Sequence, residues 1–238
     1  MLVKPVSTNR ENNLLNTKVI YDITKFTHLD FPEHLACIIW FSGCNMRCDF
    51  CYNKDIVFSK DGQYSYFDVL KFLKTRINLL DAVVLSGGEA TSHELVEFCK
   101  QIKKLGFLIK LDTNGTNHNS IEKLLKLKLL DYVALDYKAP LNKYQNITHS
   151  NKYDEFSKTL NLLITSDIKF EVRTTLHNDL LNVDDVNTII NDLKNRGYKN
   201  NYYIQKFLNT GDNIANLSDP STIFDETKLS KSLNIVWR

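Results

Sequence analysis

From residue 36 onward, short apolar runs and amphipathic stretches alternate six times, and this rhythm restricts the fold more than any other feature of the chain. The run Ala-Cys-Ile-Ile-Trp-Phe at 36–41 has the length and unbroken apolarity of a strand buried on both faces. Helical periodicity follows over 67–80. Strands are then expected at 82–85, 107–111, 132–136, 170–176 and 202–207. Between them, helices are expected at 93–105, 120–127, 153–165 and 183–196, the first ending at Gly106 and the last at Gly197. Repeated strand–helix units of this kind imply right-handed crossovers and a parallel α/β sheet. Outside the series, 19–27 reads as an extended segment before the turn Asp30-Phe31-Pro32, and 233–237 as a weak strand in a tail that begins at 208. Residues 1–18 read as a loose polar lead-in. No Pro-, Gly- or Ser-rich linker interrupts the series, so one domain over 1–238 is expected.

Composition removes several function classes. Thirty basic residues offset 28 acidic ones, and no basic stripe interleaved with aromatics suggests nucleic-acid binding. The lysines of 122–128 sit around apolar positions at helical spacing, as on a solvated helix face. No apolar run is long enough to span a membrane, and the first 18 residues show no secretory pattern. Five cysteines, three of them clustered, do not form a disulfide framework. A reducing cytoplasm is the expected location, because metal-binding thiolates must stay reduced.

That cluster is Cys44, Cys48 and Cys51, spaced C-x3-C-x2-C. With five cysteines in 238 residues, chance would produce this spacing roughly 0.002 times per chain. Four-iron clusters normally take four cysteine ligands. A loop supplying three leaves one iron open, which suits a catalytic site rather than a structural one.

The other unusual polar groups recur at equivalent places in the units. Ser86-Gly87-Gly88-Glu89 follows the second strand, Asp112-Thr113-Asn114-Gly115 the third, and Asp136-Tyr137-Lys138 closes the fourth. Arg173 lies near the end of the fifth and Gln205 near the end of the sixth. The carboxyl ends of parallel strands share one face, where ligands bind, so these motifs should converge. Paired glycines let backbone approach a ligand, and Glu89 offers a carboxylate to an ammonium group. Asp136 and Lys138 should share one side of their strand. Each motif also has a bland alternative: tight turns for the glycine and Asp112 segments, a surface ion pair for Asp136 and Lys138, a solvated edge charge for Arg173. Cys37 and Cys99 read as small buried hydrophobes. His28 and His34 lie near enough in sequence to compete as metal ligands, and His177 is a weaker site candidate.

Taken together, the motifs resemble those of the radical S-adenosylmethionine (SAM) superfamily. Phe50 fills the aromatic position of its cysteine signature, Gly87-Gly88-Glu89 its glycine–glutamate signature, and the likeness covers about 26–207. Phe26–Pro32, Asp112–Gly115 and Asp136–Lys138 further resemble the glycyl-radical-enzyme activases, in particular the activating protein of anaerobic ribonucleoside-triphosphate reductase. The resemblance implies a partial (β/α)6 barrel, open on one side. It also implies a [4Fe-4S] cluster on the three cysteines whose free iron chelates SAM. Ser86, Gly87, Gly88 and Glu89 would hold the SAM amino group, and Phe50 would pack near the adenine. Asp112, Asn114, Lys138, Arg173 and Gln205 would complete the pocket. By the same likeness, Asp112, Thr113 and Asp136 match a monovalent-cation site of the pyruvate formate-lyase activases. An electron from flavodoxin or ferredoxin would cleave SAM, and the resulting radical would take hydrogen from a glycine of the partner, with recognition in loops such as 139–151. Two departures stand out: Gln205 lies where pyruvate formate-lyase activases carry a histidine, and cysteines for a second cluster domain are lacking. Two other functions fit the residues: a radical SAM enzyme acting on a small molecule, like 7-carboxy-7-deazaguanine synthase, or a zinc or electron-transfer site completed by Cys37 or His34.

Overall fold

The computed structural model describes residues 13–238, so the first 12 residues of the expected lead-in lie outside the described part. A nine-stranded sheet runs in the order β3-β1-β2-β4-β5-β6-β7-β8-β9. Its strands are β1 (Lys18–Thr27), β2 (Ala36–Phe41), β3 (Tyr64–Ser65), β4 (Ala82–Gly87), β5 (Leu108–Thr113), β6 (Tyr132–Asp136), β7 (Lys169–Leu176), β8 (Tyr202–Lys206) and β9 (Ile235–Trp237). From β2 through β9 every neighbouring pair is parallel, while β1 is antiparallel to both β2 and β3. The edge strands β3 and β9 do not pair with each other, so the curved sheet stays open. The fold is α/β, as the alternation of segments predicts, and of the partial-barrel type that the resemblance implies.

The helices are α1 (Lys54–Phe58), α2 (Tyr66–Lys74), α3 (Val96–Lys104), α4 (His118–Lys126), α5 (Leu141–Thr148), α6 (Tyr153–Thr165) and α7 (Val183–Asn195). Capping boxes start two of them, Ser65 with Asp68 on α2 and Asn182 with Asp185 on α7. Three expectations need correction. The helix expected over 67–80 ends at Lys74, and the chain turns through Asn78 at a left-handed φ of 63°. The segment 139–151, expected as a loop, contains α5. Lys18 already belongs to β1 rather than to a lead-in.

Strand alternation divides the interior in two. Cys37, Ile39, Phe41, Val83, Leu85, Ile109, Leu111, Val133, Leu135, Val172 and Ile204 join the helices in the main core. The opposite faces turn inward, where Phe31, Ala36, Ile38, Ala82 and Val84 form a small apolar floor with Trp40, Leu108 and Tyr132 packed on it. Register stacks the inward residues in layers: Ile38 beside Val84 beside Lys110, then Trp40 beside Ser86, and Asp112 beside Ala134. The polar members lie toward the carboxyl ends of the strands, so the site sits on that floor.

Candidate active site

The loop after β2 carries the cysteine triad and is fixed from several sides. The N–H groups of Arg47 and Asp49 donate to the carbonyls of Thr148 and Ile147 at the end of α5, both at 3.0 Å. Gly43 N–H donates to Ile56 O at 2.8 Å, and the 214–215 segment donates to the carbonyls of Cys51 and Asp49 at 3.1 Å. Arg47 Nη1 folds back onto the carbonyls of Cys44 (2.7 Å) and Met46 (2.6 Å). Gly88 is needed for close approach: a Cβ there would lie 1.9 Å from Gly43 O.

A cavity of about 230 Å³ opens at the strand tips. Its lining includes Cys44, Cys48, Cys51, Phe50, Ser86, Gly87, Gly88, Glu89, Asp112, Thr113, Asn114, Asp136, Lys138, Arg173 and Gln205. The three cysteines and the strand-end residues nominated with them therefore border one space, although 161 positions separate Cys44 from Gln205. Also lining it, and missed as site residues, are Trp40, Met46, Tyr52, Asn53, Val57 and Thr175. Asp30 belongs with them, although it was read as a turn residue. Thr175 was legible, two residues after Arg173 on the same strand face. Met46 and Tyr52 had no signal beyond proximity to the cysteines. Cys37 and Cys99 are buried in the main core, His34 packs edge-on against Phe31, and His177 contacts the carbonyl of Ser218; none of the four lines the cavity. Neither Cys37 nor His34 is thus placed as a further ligand.

Asp112, Asp136, Lys138 and Arg173 form one connected charge network. Arg173 bridges two carboxylates, Nε to Asp136 Oδ1 and Nη2 to Asp112 Oδ2 at 3.3 Å. Lys138 Nζ donates to Asp136 Oδ2 at 2.9 Å and lies 5.6 Å from the Phe50 ring centroid, in cation–π range. Ser86 Oγ donates to Asp112 at 3.1 Å. Burial opposes the charge on Asp136, but Arg173 and Lys138 outweigh it and hold the carboxyl down at about 2. Asp112 is likewise lowered, burial being outweighed by Arg173 and Lys110.

Glu89 is fully enclosed. Oε1 accepts from the Thr91 N–H (3.1 Å), the Thr91 hydroxyl (2.5 Å) and the Thr113 hydroxyl (2.9 Å), and Oε2 from the Asn114 N–H (2.7 Å). Burial raises its pKa, against these donors. Glu89 thereby ties the β4 and β5 tips together and keeps a lone pair of Oε2 free.

Burial pushes the Cys44 thiol up to about 11, with Glu89 adding to the effect, and the Cys48 thiol up to about 12. A metal group bound here must displace those protons, which couples its binding to pH. Among the described residues, no three His, Cys, Asp or Glu side chains converge enough to chelate a single ion. An iron–sulfur cubane takes each cysteine on a different iron, so its ligands need not converge on one point. The donor set and its shared cavity fit such a cluster better than a lone zinc ion.

The family model for the radical SAM superfamily matches residues 38–204. A Methanocaldococcus jannaschii protein, named provisionally as a glycyl-radical enzyme activating enzyme, is 32% identical over 199 residues, covering 79% of this chain and 80% of its own. The 7-carboxy-7-deazaguanine synthase of Clostridium acetobutylicum is 27% identical over 202 residues, covering 83% and 80%. Among solved structures, Streptococcus suis SuiB bound to S-adenosylmethionine superposes with a TM-score of 0.63 at 14% identity, over 84% of this chain and 51% of that one. That likeness speaks to the fold alone, and the chain spans about half the length of SuiB.

Proposed function

Since the chain belongs to the radical SAM superfamily and is an oxidoreductase of that type, we propose that it is a glycyl-radical-enzyme activase, with anaerobic ribonucleoside-triphosphate reductase as its partner and flavodoxin or ferredoxin as its electron donor. The observation that carries the reading is the meeting of the cysteine loop with all the strand-end motifs around one cavity. Its activase side is supported by the similarity to an activating enzyme along four-fifths of both chains.

Cys44, Cys48 and Cys51 would hold a [4Fe-4S] cluster. The Ser86–Glu89 segment would receive the amino group of SAM, aided by the free lone pair of Glu89. Lys138 and Arg173 would face its carboxylate, Asp112, Asn114 and Gln205 would border the rest of the ligand, and Phe50 would pack on its adenine. When bound, the cluster and SAM supply one-electron cleavage to a 5′-deoxyadenosyl radical; the chain supplies orientation and exclusion of water. No general base is needed. Cytoplasmic residence follows from the need for reduced thiols.

Anaerobic reconstitution should yield a brown protein with about four irons per chain, and Cys44→Ala should abolish reductive SAM cleavage. A Cys44→Ala protein that cleaves SAM at the wild-type rate refutes the reading. Mixing the reduced enzyme with anaerobic ribonucleotide reductase should produce a glycine-centred doublet in electron spin resonance. The similarity to 7-carboxy-7-deazaguanine synthase over most of both chains supports a second reading, a small-molecule substrate. SAM-dependent turnover of a deazapurine precursor with no doublet would select it.

A further inference from the structure

Lys110 has no part in the reading above. It precedes Asp112 by two residues on β5, so both side chains face the interior, and it is 3% exposed. Its ammonium group donates to the carbonyl of Asp30 and lies 2.9 Å from Asp112 Oδ1. An ammonium carries three N–H donors, so the bond to the Asp30 carbonyl leaves others facing Oδ1 of Asp112. A lysine this deep stays charged only with such partners.

The other oxygens of the neighbourhood are also engaged. Asp112 Oδ2 faces Ser86 Oγ at 3.1 Å and Arg173 Nη2 at 3.3 Å. Asp136 gives one oxygen to Arg173 Nε and the other to Lys138 Nζ. Thr113 Oγ1 donates to Glu89 and accepts from the Gly115 N–H at 3.1 Å. A hard cation needs several oxygens turned toward it. Here an ion on Asp112, Thr113 and Asp136 would meet oxygens already spoken for, beside three protein cations. The residues do not fit it.

We infer that Lys110 is a built-in counter-ion to Asp112, taking the place of a bound monovalent cation, so that SAM binding at this site is independent of Na⁺ and K⁺. The inference rests on the proposed function for the identity of the ligand, while the cation measurement does not need SAM. Lys110 acts through Asp112 and is a positioning residue.

The test uses the anaerobically reconstituted full chain in choline chloride, titrated with NaCl or KCl at constant ionic strength. Sodium-23 relaxation, read without SAM, should show no saturable site in the wild type and one in Lys110→Met. SAM affinity, read by calorimetry, should shift less than about twofold in the wild type, and tighten about tenfold with Na⁺ or K⁺ in Lys110→Met, within the usual range of linked binding. Lys110→Arg should behave as the wild type. Saturable sodium binding by the wild type overturns the inference whether or not a variant folds. So does a folded Lys110→Met protein that gains no cation site. Failure to bind SAM in any salt sinks the functional reading instead, and the sodium signal still decides about Lys110.

Discussion

Asp136 receives Arg173 on one oxygen and Lys138 on the other, and its carboxyl is held at about 2, below the value near 3.9 of an unfolded chain. The folded state therefore binds fewer protons than the unfolded state between those two values. The stabilisation is complete above pH ~4 and fades as pH falls through ~2, with a total on the order of 2 kcal/mol. Asp112, also lowered, acts in the same direction. Asp136→Asn should flatten the pH dependence of the urea midpoint across that window; an unchanged slope would exclude this origin. Glu89 differs in kind, since its four donors come from the two strand tips that it joins. Glu89→Ala would leave buried donors without an acceptor, at about 1–3 kcal/mol for the most deeply buried of them. Thermal unfolding of the variant should report at least that loss. The cavity positions of Asp112, Asp136, Lys138 and Arg173 followed from their places near the carboxyl ends of parallel strands, whereas the enclosure of Glu89 by Thr91 and Thr113 depends on how two separate strand tips meet.

At the scale of elements, β2 and β6 were legible to the residue, because buried parallel strands are short, apolar and bounded by polar turns. α5 was not. Its sequence Leu-Asn-Lys-Tyr-Gln-Asn-Ile-Thr has weak helix propensity, no side-chain N-cap and a left-handed C-cap at His149. It is held by tertiary packing, with Tyr144 and Ile147 buried and its last carbonyls receiving the cysteine loop. That contact makes α5 part of the support of the candidate metal site. The opposite support is the backbone contact between Gly88 and Gly43, where Glu89 N–H donates to Gly43 O at 2.9 Å. Gly88→Ala should push the two loops apart, lower stability by about 1–3 kcal/mol, and reduce the iron retained after reconstitution. A Gly88→Ala protein with full iron and an unchanged melting temperature would contradict this role.

For the whole molecule, the sheet is open, and its β9 edge is tied down by charge as well as by the ladder. Arg238 places its guanidinium on both oxygens of Glu171 at 3.0 and 3.1 Å and stacks over the Tyr203 ring. Glu171 is 2% exposed, so Arg238→Ala removes the counter-ion of a buried carboxylate and leaves it the Tyr132 hydroxyl at 3.3 Å, at about 2–3 kcal/mol. The β9 amides of the variant should then exchange hydrogen faster than those of the wild type, with β6 as an unchanged reference; equal β9 protection in the two would refute the tie. The rhythm of apolar and amphipathic segments by itself determined the parallel α/β architecture, and with it the face on which the polar motifs meet, because crossover handedness and strand direction follow from local chirality. Cysteine spacing likewise placed three sulfur donors on one short loop, since spacing along the chain is a local property. Only the tertiary structure decided that Lys110 pairs with Asp112, that Glu89 is enclosed and that α5 seats the cysteine loop. Those contacts join segments far apart in the chain, and their energies depend on burial, which no local pattern encodes.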